Sequence, residues 1–290
     1  MKSAISLLMS VLLCSVSACA QDMNANHHHN AASSETAETQ DWAKQRLEKS
    51  PRHREWVKVK NGTREVSSFV VYPEVKNKAT AVVVIHEIFG MTDWVQSLTD
   101  QLAEAGYVAI APDLLSGMGP NGGGTSSLSG NAVGQAIRDL PPDQITADLN
   151  AVADYVSKLP ASNGKVVVTG YCWGGGQSFR YATNNPNIKA AFVFYGPAPG
   201  APDGTPDKAA LAKITAPVYG FYGGNDARIN ATLPKTIEAM TELKKTFEPV
   251  TYEGAGHGFM RAGEAPDANE ANKKARDEAW ARWKKILASI

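Results

Sequence analysis

The 290 residues are 43% hydrophobic and 20% charged, too long for a minimal module and suited to one α/β domain with a full core. Lysine and arginine total 29, and aspartate and glutamate also total 29, so no net field draws the chain toward nucleic acid or an anionic surface. A nucleic-acid partner is therefore not expected. Recognition has to be local, and no cofactor is expected.

Residues 1–19, "MKSAISLLMSVLLCSVSAC", carry a lysine, an apolar stretch from Ala4 to Leu13 and a small-residue ending, the three-part pattern of an export signal. The stretch is too short to span a bilayer. Val16-Ser17-Ala18-Cys19 resembles a bacterial lipobox, which makes Cys19 the expected lipidation site and the first mature residue. Alanine at position 20 resembles lipoproteins of the outer membrane. The expected location is the periplasmic side of a membrane, held by the lipid anchor only, or the soluble periplasm if Cys19 carries no lipid.

Of three cysteines, Cys14 then leaves with the signal and Cys19 carries lipid. Cys172 has no disulfide partner left, and a lone thiol in an oxidising compartment is a liability unless it is buried or used. Residues 20–40 are polar and hold no branched aliphatic or aromatic side chain, so they read as a tether. Extended at ~3.3 Å per residue, it would reach roughly 70 Å. His27, His28 and His29 lie within it and make a poor preorganised metal site.

Residues 41–290 are expected to form a single domain. Alternation on either side of Asn61-Gly62 in "EWVKVKNGTREVSSFVVYPE" predicts that this domain opens with a β-hairpin. Apolar runs then alternate with helical patterns. Strands are expected at 79–86, 107–111, 165–170, 190–196, 216–223 and 249–254. Helices are expected near Trp94–Ala105, Asp143–Leu159 and Leu233–Lys245, from Gly174, and up to Ile290. Ile145, Leu149, Val152, Val156 and Leu159 fall on one stripe. Continuous apolar strands imply cover on both faces, so the expected class is α/β: a mostly parallel twisted sheet between two helical layers. Two stretches, 115–131 and 197–208, rich in glycine, serine or proline, are expected to be loops beside the strand ends.

Strand, then Gly170-Tyr171-Cys172-Trp173-Gly174, then helix is the pattern of a nucleophile elbow with cysteine in the nucleophile position. The flanking glycines suit a turn in which side chains would strike the neighbouring strand and helix. A helix N-terminus beside the sulfur favours the thiolate. A nucleophile on this fold requires an acid and then a histidine in chain order. Asp226 in "FYGGNDARIN" and His257 in "YEGAGHGFMR" each follow a later strand. Beyond the tether only His53, His86 and His257 remain, and only His257 lies after both other groups.

The segments "VVVIHEIFGM", "GYVAIAPDLL", "GYCWGGG", "GGNDARIN" and "YEGAGHGFMR" resemble the dienelactone hydrolase (carboxymethylenebutenolidase) family of the α/β-hydrolase fold over roughly residues 55–288. The resemblance implies a catalytic triad of Cys172, Asp226 and His257, with Glu87 contacting the resting cysteine. It also implies an oxyanion hole from the backbone N–H groups of Ile88 and Trp173. The expected reaction is attack of the thiolate on an ester or lactone carbonyl, then hydrolysis of a thioacyl enzyme. A thiolate leaves better than an ordinary alkoxide, so enol lactones and activated esters suit it and amides do not.

By the same resemblance Arg261 would bind a substrate carboxylate through paired hydrogen bonds. The family's second arginine falls in a region where this chain has none, with Arg138 just beyond it. A thioesterase or acyltransferase on the same triad is the alternative within catalysis. Outside catalysis stand a binding lipoprotein and a thiol redox sensor, the latter without a resolving cysteine in the mature domain. A monomer is expected.

Overall fold

The computed structural model describes residues 40–290; the expected signal, Cys19 and the tether as far as residue 39 lie outside them. The elements in chain order begin with α1 (Asp41–Glu48), β1 (Arg54–Asn61), β2 (Arg64–Val71), β3 (Ala79–Ile85), α2 (Asp93–Glu104) and β4 (Val108–Pro112). Next come α3 (Asn131–Arg138), α4 (Pro142–Ser157), β5 (Ser162–Tyr171), α5 (Trp173–Asn184), β6 (Ala191–Phe194) and α6 (Lys208–Leu211). The chain continues through β7 (Val218–Gly223), α7 (Ala227–Asn230), α8 (Leu233–Glu242), β8 (Phe247–Tyr252), α9 (Phe259–Ala262) and α10 (Glu270–Leu287).

The strands form one eight-stranded sheet in the order β1-β2-β4-β3-β5-β6-β7-β8. Pairing is antiparallel at β1–β2 and β2–β4 and parallel from β4 through to β8. Side chains alternate between two buried cores, one per face. Val83, Ile85 and Val168 face α4 and α5, while Val82, Val84 and Phe192 face α2 and α10. Because both faces are covered, these strands read as unbroken apolar runs. Trp283 of α10 packs its ring on Phe192 and Phe194, and Ile145, Leu149, Val152 and Val156 of α4 are buried along one stripe.

Among the described residues the domain opens with α1, ahead of the expected hairpin. Polar α1 buries only Ala43 and Leu47, so its place is fixed by tertiary contacts. Gln40 Oε1 accepts the Trp94 N–H of α2 at 2.9 Å, and just beyond the helix Arg52 Nη2 donates to the buried Asp100 of α2 at 2.6 Å. The hairpin turn is Gly62-Thr63, since Asn61 still pairs with Arg64. The only positive φ in that turn is at Gly62 (+61°); glycine in the first central position supplies it at no steric cost.

The stretch 115–131 is more ordered than a simple loop: two short 3₁₀ turns, Pro120–Gly122 and Thr125–Ser127, lead into α3. β5 begins at Ser162, earlier than the apolar run, because Ser162 pairs with Ala79 across an irregularity in register. No helix among the described residues is long and apolar enough to cross a membrane.

Candidate active site

Parallel strands β3, β5, β6, β7 and β8 are consecutive in the sheet, and their carboxyl ends lead into Glu87, Cys172, Tyr195, Asp226 and His257. Side chains that follow neighbouring strands share one rim, which is where an open α/β sheet places its chemistry. Sequence separation is large and spatial separation small.

Cys172 sits between β5 and α5 with φ +55° and ψ −116°, backbone angles an L-residue avoids unless its surroundings impose them. Its N–H donates to the Phe194 carbonyl at 3.1 Å, and its carbonyl accepts the N–H groups of Gly175 and Gly176. The glycines on either side make this possible. A Cβ on Gly170 would fall 1.9 Å from the Gly174 carbonyl oxygen, and one on Gly174 would fall 2.3 Å from that of His86. The first turn of α5 therefore presses against the end of β3. Cys172 is a free thiol, half-buried.

Asp226 caps α7: one carboxylate oxygen accepts the Ile229 N–H at 3.3 Å, and the other lies 2.5 Å from His257 Nδ1. The Cys172 side chain also acts on the imidazole, together with Asp226. Burial by itself would push the His257 imidazolium down, but Asp226 and Cys172 outweigh it and hold the pKa up at about 9. Near neutral pH the imidazole therefore favours its protonated form. Tyr195, fully buried with φ +42°, stands edge-on to the His257 ring at 5.1 Å between centroids.

Glu87 follows β3 and is 3% exposed at its side chain; Arg261 of α9 is 12% exposed and donates from Nε to Glu87 Oε2 at 2.9 Å. The resemblance implies that Glu87 rests on the cysteine; the side-chain hydrogen bond its carboxylate makes among the described residues goes to the guanidinium four residues beyond His257. A carboxylate in a dry site gains more from a fixed guanidinium than from a weak S–H donor. The Arg261 guanidinium also lies 5.3 Å over the Phe89 ring. Arg138, in the last turn of α3, is exposed; its guanidinium folds back over Gly134, close to the Ile88 side chain.

Among the described residues neither the Ile88 nor the Trp173 N–H is spent on a backbone carbonyl, so both remain available as donors. A clamp that sequence reasoning missed holds the loop carrying Ile88. Asp113 accepts the Thr125 N–H and the Thr125 hydroxyl, each at 2.8 Å, while the same hydroxyl accepts the Met91 N–H at 3.2 Å. The 115–131 stretch is thereby tied to the 87–91 loop. The only trace of this in the sequence is the aspartate of "APDLL", because its partner lies twelve residues away. His86 and Tyr195 were also missed, being ordinary apolar-strand neighbours on sequence grounds. No group of three His, Cys, Asp or Glu side chains suited to a metal occurs among the described residues.

The sheet order and the thiol, imidazole and carboxylate at its rim define an α/β-hydrolase. The dienelactone hydrolase family profile matches residues 66–290, and the chain belongs to that family. It is 33% identical over 226 residues to a protein of Salmonella typhimurium assigned as a carboxymethylenebutenolidase, covering 75% of this chain and 80% of that one. A protein of Saccharolobus solfataricus with the same assignment is 30% identical over 258 residues, covering 78% of this chain and 95% of its own. Among solved structures, one assigned as a dienelactone hydrolase from Klebsiella pneumoniae superposes with TM-score 0.71 at 26% identity, covering 82% of this chain and 99% of that one.

Proposed function

We propose that this protein hydrolyses carboxylic esters or lactones through a thioacyl enzyme formed on Cys172. Membership of the family carries the coarser statement, an ester- or lactone-cleaving hydrolase. The finer one rests on a single arrangement: a cysteine at φ +55° at the head of α5, acting on a histidine that is itself bonded to a buried aspartate.

His257, oriented by Asp226, takes up the Cys172 proton as the sulfur attacks and becomes the imidazolium. The sulfur attacks the carbonyl carbon, and the carbonyl electron pair moves to oxygen, where the Ile88 and Trp173 N–H groups receive it. Collapse of this intermediate breaks the bond to the leaving oxygen, which takes the proton from His257. The neutral imidazole then removes a proton from water as the water attacks the thioester, and collapse returns the thiolate. A leaving group no more basic than an enolate or aryloxide suits this sequence, because it must depart in preference to sulfur. An anionic substrate that reaches Arg261 has to exchange with Glu87 for the guanidinium, a competition that a neutral ester avoids.

Steady hydrolysis of 4-nitrophenyl acetate and of dienelactone, absent in Cys172→Ala, is the expected result. Hydrolysis of neither substrate would overturn this reading. The sequence further supports export and lipidation at Cys19, for which the intact mass of membrane-extracted protein should carry a diacylglyceryl increment; an unmodified mature N-terminus would refute it.

A further inference from the structure

His86 is the residue after β3, and its side chain is fully buried. Its Nδ1 lies 2.8 Å from the Glu87 carbonyl oxygen. A carbonyl only accepts, so Nδ1 carries the proton and donates. The same carbonyl accepts the Gly90 N–H at 3.1 Å. In a trans peptide the C=O and the following N–H are antiparallel in one plane. Two donors that fix the Glu87 carbonyl therefore also fix the direction of the Ile88 N–H.

The flat face of the same imidazole stacks on the Trp173 ring, with centroids 5.5 Å apart and planes 17° from parallel. Trp173 supplies the second N–H of the proposed oxyanion hole, so one side chain touches both halves of that cradle.

This histidine is not explained by packing. Its Nε2 is buried with no hydrogen-bond partner among the described residues, a cost an apolar residue of similar shape would avoid. Burial drives the imidazole toward its neutral form against the pull of Asp113, consistent with a fixed Nδ1–H donor and a bare Nε2. A buried polar group that leaves one atom unsatisfied is expected where a site needs the other.

We propose that His86 is a positioning residue of the oxyanion hole: its Nδ1–H bond to the Glu87 carbonyl aims the Ile88 N–H at the oxygen that becomes negative in the tetrahedral intermediate. The inference rests on the ester-hydrolase reading and specifies how its anion cradle is held. Acylation and deacylation share that cradle, so loss of the bond lowers kcat whichever step is slower. Ground-state binding does not depend on it.

The test uses the purified full chain, its His86→Phe variant, which keeps a flat ring against Trp173 and removes the donor, and His86→Asn, whose side-chain amide can donate from nearly the place of Nδ1. Turnover of 4-nitrophenyl acetate is measured alongside alkylation of Cys172 by iodoacetamide, which needs the thiolate but no oxyanion hole. The expected result for His86→Phe is a fall in kcat of ~10–100-fold with KM and alkylation rate within about twofold of wild type. His86→Asn should recover most of the lost kcat. An unchanged kcat in His86→Phe, or kcat and alkylation falling together in both variants, would overturn the inference while leaving the hydrolase reading intact. Absence of turnover by the wild type would instead overturn the hydrolase reading, and this inference with it.

Discussion

Arg261 donates to Glu87 at 2.9 Å in a pair that is almost entirely out of solvent, the carboxylate side chain being 3% and the guanidinium 12% exposed. Two charges so placed stabilise little relative to apolar replacements, but removing the guanidinium strands the carboxylate. Arg261→Met should therefore lower unfolding free energy by about 3–5 kcal/mol, whereas the double variant Glu87→Leu with Arg261→Met should lose markedly less. Guanidinium chloride unfolding of the three proteins checks this, and equal losses in the single and double variants would contradict it. The proposed binding of a substrate carboxylate by Arg261 is tested with the same variant. Arg261→Met should raise KM for anionic dienelactone and leave KM for neutral 4-nitrophenyl acetate nearly unchanged.

His257 makes stability depend on pH in a definite direction. Its folded-state pKa of about 9 stands above the ordinary value of 6.5, so folding favours the protonated ring. That contribution is complete below about pH 6.5 and disappears as pH rises through about 9. With a side chain one-third exposed, solvent screening reduces it to about 1–2 kcal/mol. The difference in unfolding free energy between wild type and His257→Gln should accordingly be largest near pH 6 and shrink toward pH 10. A gap that stays constant over this interval would contradict the assignment.

The Thr125 hydroxyl serves Asp113 and Met91 together. Thr125→Val keeps the shape but leaves a buried carboxylate oxygen short of a donor and the Met91 N–H without an acceptor. A loss of about 1–3 kcal/mol is expected, with a fall in kcat larger than any change in KM, because the loosened 87–91 loop carries the Ile88 N–H. Thermal unfolding together with steady-state kinetics measures both; a variant with wild-type stability and kcat would contradict the clamp.

What could be read in the sequence and what could not have different physical causes. Strands β3 and β5 were legible because two-sided burial forces continuous valine and isoleucine, and α4 because one buried stripe recurs every turn. Helix α1 was not, since an eight-residue polar helix with two buried side chains has no periodicity to detect and is held by Gln40 and the Arg52–Asp100 pair. Cys172, Asp226 and His257 stood out because turn chemistry and chain order are local properties. The Glu87–Arg261 pairing did not, because 174 residues separate two groups that only the sheet order brings together. His86 was hidden for a related reason: its significance lies in a hydrogen bond to the next peptide and a stack on Trp173, neither of which leaves a mark on composition.

The most direct test of the central claim is to mix the enzyme with 4-nitrophenyl acetate, quench in acid within the first turnovers, and determine by peptide mass which residue carries the acetyl group. The expected result is an acetyl thioester on the peptide containing Cys172, none when His257 is changed to glutamine, and no turnover by Cys172→Ala. Acylation of a different residue, or turnover that survives Cys172→Ala, would contradict it.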